Sequence, residues 1–136
     1  MPVKLRADLS DEEQVRALMR YDYEKYAEAV LRIRTKSDGV MPLKFNAAQR
    51  YVHQRAEDMK ARKGYVRLVI LKGRQQGIST YITGRYYWLV THSRGTRAFI
   101  LTHEMQATDN LFGMTQRYNT LADPMFAVKA TSANAK

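Results

Sequence analysis

The chain has 136 residues, 45% of them hydrophobic, so it is the size of one domain and has enough apolar side chains for its own core. It has no cysteine, and its three histidines, His53, His92 and His103, are not paired at a metal-ligand spacing, which argues against disulfides and structural zinc. It has neither a leader-like N-terminus nor an apolar run near the ~20 residues of a membrane span, so we expect a soluble, non-exported protein that makes no membrane contact.

The net charge of +10 is unevenly distributed. Residues 1–39 hold eight Lys/Arg and eight Asp/Glu, whereas residues 40–136 hold fifteen Lys/Arg against five Asp/Glu. A basic surface attracts phosphate polymers because binding releases counterions, although solvated surface charge is the ordinary reason for such an excess. Because the basic part also contains the phosphate-loop candidate described below, the distribution predicts nucleic-acid contact there.

The first predicted element is a long helix that starts at a capping box, with Ser10 as N-cap and Glu13 three residues later. One face carries apolar residues at steps of three or four: Val15, Met19, Tyr23, Tyr26, Val30 and Ile33. Asp38-Gly39 then breaks the pattern. The tyrosines of this region, which include Tyr21, are candidates for base stacking, but aromatic residues at helical spacing are typical of packing. We interpret residues 1–40 as an N-terminal helical arm.

A second helix is predicted from Asn46 to about Lys63, after an extended lead-in that contains Pro42. Asn46 and Gln49 make another capping pair, which explains Gln49 without any ligand. Ala48, Val52, Ala56 and Met59 share the core-facing side. The functional alternative is that Phe45 and Gln49 hold a purine, with the ring stacking and the amide reading the adenine edge.

The stretch around which the chain is organised follows this helix. Tyr65–Lys72 is predicted to be a strand, because Leu68–Leu71 is apolar, β-branched in part and bounded by glycines. A loop, Gly73–Gly77, leads into a helix whose apolar residues recur from Ile78 onward. The free N–H groups and positive dipole end of that helix make an anion site at the loop.

The loop departs from the P-loop pattern G-x-x-x-x-G-K-[ST]. Gly77 and Ser79 match its second glycine and its hydroxyl, but Lys72 replaces the first glycine and Ile78 replaces the lysine. Lys72 or Arg74 is a candidate for the missing cation. The alternative is an ordinary strand–turn–helix connection with a chance Ser-Thr pair.

After the helix ends at Ser93-Arg-Gly95, residues Thr96–Thr102 are predicted to be a second buried strand. Two strands joined by a helix make a βαβ unit with parallel strands, which places ligands at their carboxyl ends. A last helix is predicted over about Glu104–Leu121. His103 and Glu104 are adjacent, so we assign them to a strand end and a helix start instead of an acid/base pair.

Three motifs together resemble the ATPase domain of phage terminase large subunits, the DNA-packaging motors of tailed bacteriophages. Phe45–Gln49 resembles the adenine-binding segment of that family, and Lys72–Ser79 resembles its deviant phosphate loop, in which the lysine moves to the front. Phe99–His103 with Ala107–Phe112 resembles the strand and helix that follow. The resemblance covers about residues 42–119.

The resemblance implies an α/β fold, namely a partial P-loop NTPase with a βαβ parallel-sheet core preceded by N-terminal helices. Residues 41–136 are then the first half of the ATPase domain. The implied cofactors are ATP and Mg, with adenine held by Phe45 and Gln49 and magnesium ligated by Ser79. The implied phosphate-binding residues are Lys72, Gly73, Arg74, Gln75, Gln76, Gly77, Ile78, Ser79 and Thr80.

For a full-length motor the resemblance further implies translocation of double-stranded DNA into a procapsid in the cytoplasm of an infected bacterial host. The implied partners are the portal protein, the small terminase subunit and other copies in a ring. The chain lacks the family's later Asp-Glu strand, coupling motif and nuclease domain, so we expect it to be the N-terminal piece, without catalytic residues of its own. The alternatives are a non-catalytic basic nucleic-acid-binding module and the first half of a helicase-type ATPase.

Overall fold

A computed structural model describes residues 10–37 and 39–129. Five helices and one short hairpin follow one another within these residues. The helices are α1 (Asp11–Tyr21), α2 (Tyr23–Val30), α3 (Ala47–Lys63), α4 (Ile78–His92) and α5 (Met105–Leu121), and the strands are β1 (Arg32–Arg34) and β2 (Val40–Pro42).

The N-terminal region is two helices and a strand, and the prediction of one long helix is wrong. The capping box at Ser10 forms as predicted, with the Ser10 N–H donating to Glu13 Oε2 over 2.9 Å. Asp22 interrupts the helix because its backbone is extended, with φ −128° and ψ 97°, and its carboxylate accepts the N–H of Lys25 instead. A short polar side chain that binds a nearby backbone N–H favours a helix start over a helix interior.

The hairpin takes up residues that the sequence pattern assigned to the end of the first helix. Strand β1 pairs antiparallel with β2, in a register that places Arg34 opposite Val40. The predicted domain boundary at residue 40 therefore falls inside this hairpin. The division into an arm and an ATPase half-domain stays a prediction, but α2 of the arm shares one core with α4.

The core lies between α2, α3, α4 and α5 and is largely aromatic. Its most deeply buried large side chains are Tyr23, Tyr26, Leu31, Leu43, Tyr81 and Tyr118. Packing is thus the role of Tyr23 and Tyr26, as predicted, whereas Tyr21 is exposed. The indole of Trp88 on α4 donates to the carbonyl of Met19 over 2.8 Å, which ties α1 to the core.

Helices α3, α4 and α5 begin at the predicted residues. At α3 the Asn46 side chain accepts the Gln49 N–H and the Gln49 side chain accepts the Asn46 N–H, both over 2.9 Å. Gly64 ends α3 in the left-handed region, with φ 77°. Glu104 is the N-cap residue of α5. These starts depend on residues within one turn of each other, which is why the sequence pattern predicted them.

The predicted α/β fold with a βαβ parallel-sheet core is wrong. Over residues 10–37 and 39–129 the only sheet is the antiparallel pair β1–β2. Residues 66–73 and 96–102 form no ladder, and the outward side chains of Val69 and Leu71 are 100% and 102% exposed. A strand exists only when a neighbour accepts and donates its backbone hydrogen bonds, and apolar β-branched composition alone does not provide that neighbour.

Candidate functional site

The predicted phosphate loop lies between the extended residues 66–73 and the start of α4. Gln75 and Gly77 both have left-handed backbones, with φ 59° and 71°. A Cβ atom at Gly77 would lie 2.7 Å from Nε2 of Gln49, closer than a real side chain allows. Glycine is therefore required here both by the backbone angle and by the closeness of α3.

The loop is held by the same two side chains that cap α3. Nε2 of Gln49 donates to the carbonyl of Gly77 over 2.7 Å, and Nδ2 of Asn46 donates to the carbonyl of Gln76 over 3.1 Å. Gln49 is 3% exposed, so its bond to the Gly77 carbonyl is shielded from water. The two motifs that are separate in the sequence are thus one contact in the structure.

Three cations belong to the surface around this loop. Lys72 and Arg74 are exposed, and Nζ of Lys72 lies 3.5 Å from the carbonyl of Gly73. Lys36, in the turn between β1 and β2, donates to Oε1 of Gln75 over 3.4 Å. Lys36 was missed by the sequence analysis because it precedes the loop by 39 residues and only the hairpin brings it there.

The first turn of α4 carries the remaining predicted phosphate ligands. Gly77 provides no side-chain cap, Ile78 is 3% exposed and anchors the turn in the core, and Ser79 is exposed. N–H groups at such a helix start lack intrahelical partners and favour anions. The exposed Ser79 hydroxyl is an oxygen ligand of the kind that magnesium accepts, so it is the side chain of this turn that would hold the ion.

The predicted adenine ligands are occupied by contacts within the chain. The Phe45 ring is 5% exposed and packs edge-on to Tyr81 with ring centroids 5.2 Å apart. Both ends of the Gln49 amide are bonded, one to Asn46 N and one to the Gly77 carbonyl. An adenine that used either residue would have to replace these contacts, and the assignment stays a prediction.

A polar cluster that the sequence analysis missed joins α3 to the first half of α4. Nη2 of Arg85 donates to Oε1 of Glu57 over 2.6 Å, and the Arg85 side chain is only 11% exposed. Nη1 of Arg85 also lies 3.2 Å from the Tyr81 hydroxyl and 3.3 Å from Nδ1 of His53. The signal was the spacing: His53 and Glu57 are four residues apart on α3, as are Tyr81 and Arg85 on α4.

The donors and acceptors of this cluster determine the state of His53. Arg85 has no acceptor, so its N–H groups leave Nδ1 of His53 to accept, and the Tyr81 hydroxyl is 3.1 Å from the same nitrogen. Burial lowers the pKa of the His53 imidazole; Glu57 opposes this shift and the Arg85 charge adds to it. Burial likewise lowers the pKa of His92, whose Nδ1 bonds the Trp88 carbonyl over 2.8 Å. Both histidines are therefore neutral in the folded protein near pH 7.

We expect the free energy of unfolding to fall as the pH is lowered from 7.5 to 5. The folded pKa of His53 and of His92 lies below the unfolded value of about 6.5, so in this window the unfolded chain binds more protons. The charged groups near His53 are Glu57, Arg85, Glu24 and Asp22. Urea unfolding at each pH measures the effect.

The matched control is the double variant His53→Gln and His92→Gln. Glutamine keeps hydrogen-bonding capacity but does not titrate, so the decrease between pH 7.5 and 5 should become shallower. Glu13 does not account for the decrease, because its bonds to Ser10 lower the pKa of its carboxyl and it titrates below this pH window. An unchanged slope in the double variant would contradict the assignment to these histidines.

Comparisons with other proteins add no family to this description. Within residues 10–37 and 39–129 no helix is long and apolar enough to cross a membrane, and no group of three or more His, Cys, Asp or Glu side chains is placed to hold a metal ion. No protein-family model matches the chain, and neither the curated proteins nor the solved structures contain a match. The resemblance to terminase large subunits rests on the three sequence motifs alone and stays a prediction.

Proposed function

We propose that this chain binds ATP through the loop Lys72–Thr80 and that it is the nucleotide-binding N-terminal portion of a terminase-like DNA-packaging ATPase. One hydrogen bond supports this assignment most directly: the 2.7 Å contact from Gln49 to the Gly77 carbonyl. It joins the adenine-segment and phosphate-loop motifs, which the resemblance requires to act together. DNA translocation, the portal and the small subunit belong to the same proposal, for the full-length motor.

The loop residues have distinct roles in this proposal. Lys72, Arg74 and Lys36 neutralise phosphate charge, and Gly77 gives the loop the left-handed turn that leads into α4. The first N–H groups of α4 donate to those oxygens. The Ser79 hydroxyl would hold magnesium, which would supply charge neutralisation at the phosphates.

Binding is proposed for this chain, and hydrolysis is not. The Glu57 carboxylate is paired with Arg85 over 2.6 Å, and the Glu104 carboxylate lies 3.7 Å from Nε2 of its neighbour His103. The first pair lies in the interface between α3 and α4, and the second is exposed. Hydrolysis also needs a carboxylate or amide next to the phosphates, within hydrogen-bond reach of the attacking water. We assign no residue of this chain to that role.

We expect Lys72→Ala to weaken Mg-ATP binding by about 1.5 to 3 kcal/mol, or roughly tenfold to a hundredfold, because one charged phosphate contact is lost. Titration of a fluorescent ATP analogue into both proteins measures the change. Lys72 is exposed, and among the described residues its Nζ bonds only the adjacent Gly73 carbonyl, so the substitution should leave the fold intact.

Lys63→Ala is the matched control, because Lys63 is an exposed lysine at the far end of α3, away from the loop. It removes the same charge and should leave ATP affinity within about twofold, since ATP binding depends on contact with the loop. Equal affinities for the Lys72 and Lys63 variants would remove Lys72 from the site.

A basic nucleic-acid-binding module is the second candidate, favoured by the unpaired cations. Within the described residues the Lys and Arg side chains in salt bridges are Lys25, Lys44, Arg50 and Arg85, and none of the cations from Lys60 through Arg74 is among them. The same variants separate the two functions. If the chain is a nucleic-acid-binding module, it binds double-stranded DNA and does not bind ATP. A plot of log affinity for DNA against log salt concentration then has a slope of about −0.9 per phosphate contact.

A further inference from the structure

The extended residues 66–71 combine a strand-like pattern with an uncovered face. Leu68 is 37% exposed and Ile70 packs against the core. The alternate residues, Val69 and Leu71, are 100% and 102% exposed. Side chains thus alternate between the helices and solvent, as in a strand that has one face covered. Large apolar side chains that are wholly exposed in a row typically mark an interaction site.

Most backbone N–H and C=O groups of the same residues also have no hydrogen-bond partner in the described part of the chain. Within residues 10–37 and 39–129, the one backbone hydrogen bond of residues 66–71 is from the Arg67 N–H to Sδ of Met59, over 3.2 Å. A partner that covered Val69 and Leu71 without hydrogen-bonding groups would bury unpaired N–H and C=O groups, at a cost of about 1–3 kcal/mol for each group. A partner strand satisfies them and covers the side chains at once.

A groove of about 480 Å³ runs between these residues and α3 and shows which charge the partner needs. Its apolar walls include Tyr51, Leu68 and Ile70, its charged lining residues are Arg55, Arg62 and Lys72, and no described carboxylate lines it. Cations that line a groove attract a segment with carboxylates at matching positions. A second copy brings the same cations and a net charge of +10 to the contact, so like charges oppose self-pairing.

We propose that residues 66–71 and the groove beside α3 form a docking site for an extended, apolar strand of a partner polypeptide that carries carboxylates at its ends. The partner strand pairs with the backbone of residues 66–71. Its apolar side chains cover Val69 and Leu71, and its carboxylates face Arg55, Arg62 and Lys72. Lys72 belongs both to this groove and to the proposed ATP site, but the docking proposal does not depend on nucleotide binding and its test contains no nucleotide.

The test uses two synthetic ten-residue peptides and no ATP. Both have a centre of six alternating valines and threonines; one has two aspartates at each end and its twin has two lysines there. Hydrogen exchange at the amides of residues 66–71 is measured for the whole protein with each peptide. We expect the aspartate peptide to slow exchange there at least tenfold at saturation, and the lysine peptide to bind at least tenfold more weakly.

The double variant Val69→Asp and Leu71→Asp should abolish this protection. Both side chains are wholly exposed, so the fold is retained, and far-ultraviolet circular dichroism checks it. Val15→Asp, at an exposed valine of α1 outside the groove lining, is the control and should bind normally. Protection by neither peptide, equal protection by both, or protection by self-association of the protein alone would each overturn the proposal.

Discussion

Tyr23→Ala is expected to lower the free energy of unfolding by about 3 to 5 kcal/mol, the range for removing a large buried aromatic side chain. Tyr23 is 1% exposed, and its ring centroid lies 5.3 Å from that of Phe45 and 5.4 Å from that of Trp88. Its hydroxyl donates to the Tyr81 carbonyl over 2.8 Å. The alanine variant would leave a cavity among rigid rings that relax little. Urea denaturation measures the loss.

Tyr21→Ala is the matched control, because the same substitution is made two residues away at a side chain that is 62% exposed. It should change stability by no more than about 0.5 kcal/mol. Tyr23→Phe removes only the hydroxyl, so it should cost about 1 kcal/mol. A similar cost for Tyr21→Ala and Tyr23→Ala would contradict the placement of Tyr23 at the centre of the core.

Gly84→Ala should destabilise the protein by about 1 to 3 kcal/mol, although alanine is the better helix former. A Cβ atom at Gly84 would lie 2.6 Å from the Tyr23 hydroxyl oxygen and 2.9 Å from Cδ1 of Leu31. Neither neighbour can move freely, because Leu31 is 0% exposed and the Tyr23 hydroxyl is bonded to α4. The added methyl group must push α2 and α4 apart. The measurement is again urea denaturation.

Gly113→Ala tests whether the effect comes from packing or from helix propensity. Gly113 also lies inside a helix, α5, but a Cβ atom there meets nothing within 4 Å. This variant should gain about 0.5 to 1 kcal/mol, the usual advantage of alanine over glycine in a helix. Stabilisation by both substitutions would show that α2 and α4 are not in close contact at Gly84.

Tyr23 and Gly84 both affect the candidate site, because each of them contacts or belongs to α4. Tyr81, whose carbonyl accepts from Tyr23, lies in the first turn of α4, immediately after the loop. The loop is therefore held on one side by the aromatic core and on the other by Asn46 and Gln49. A variant that moves α4 should loosen the loop as well, and in the proposed function it should weaken ATP binding together with stability.

Local features of the chain were determined by the sequence itself. The capping pairs at Ser10 and Asn46, the glycine end of α3 and the starts of α4 and α5 depend on residues within about one turn. The hydrogen bonds of the two capping pairs join residues only three positions apart, so they form without help from distant parts of the chain. The location of the glycine loop before α4 follows from the same local rules.

Contacts between segments that are distant in the sequence were decided only by the tertiary structure. The helix break at Asp22 accompanies the burial of Tyr23 and Tyr26, and the hairpin brings Lys36 to the loop. The cluster of Arg85 with Glu57 forms because two helices pack at matching faces. Residues 66–71 have the composition of a strand, but no other segment in the described part of the chain pairs with them. Composition expresses a preference of single residues, whereas a strand, an ion pair or a shared core requires a second segment at the correct distance.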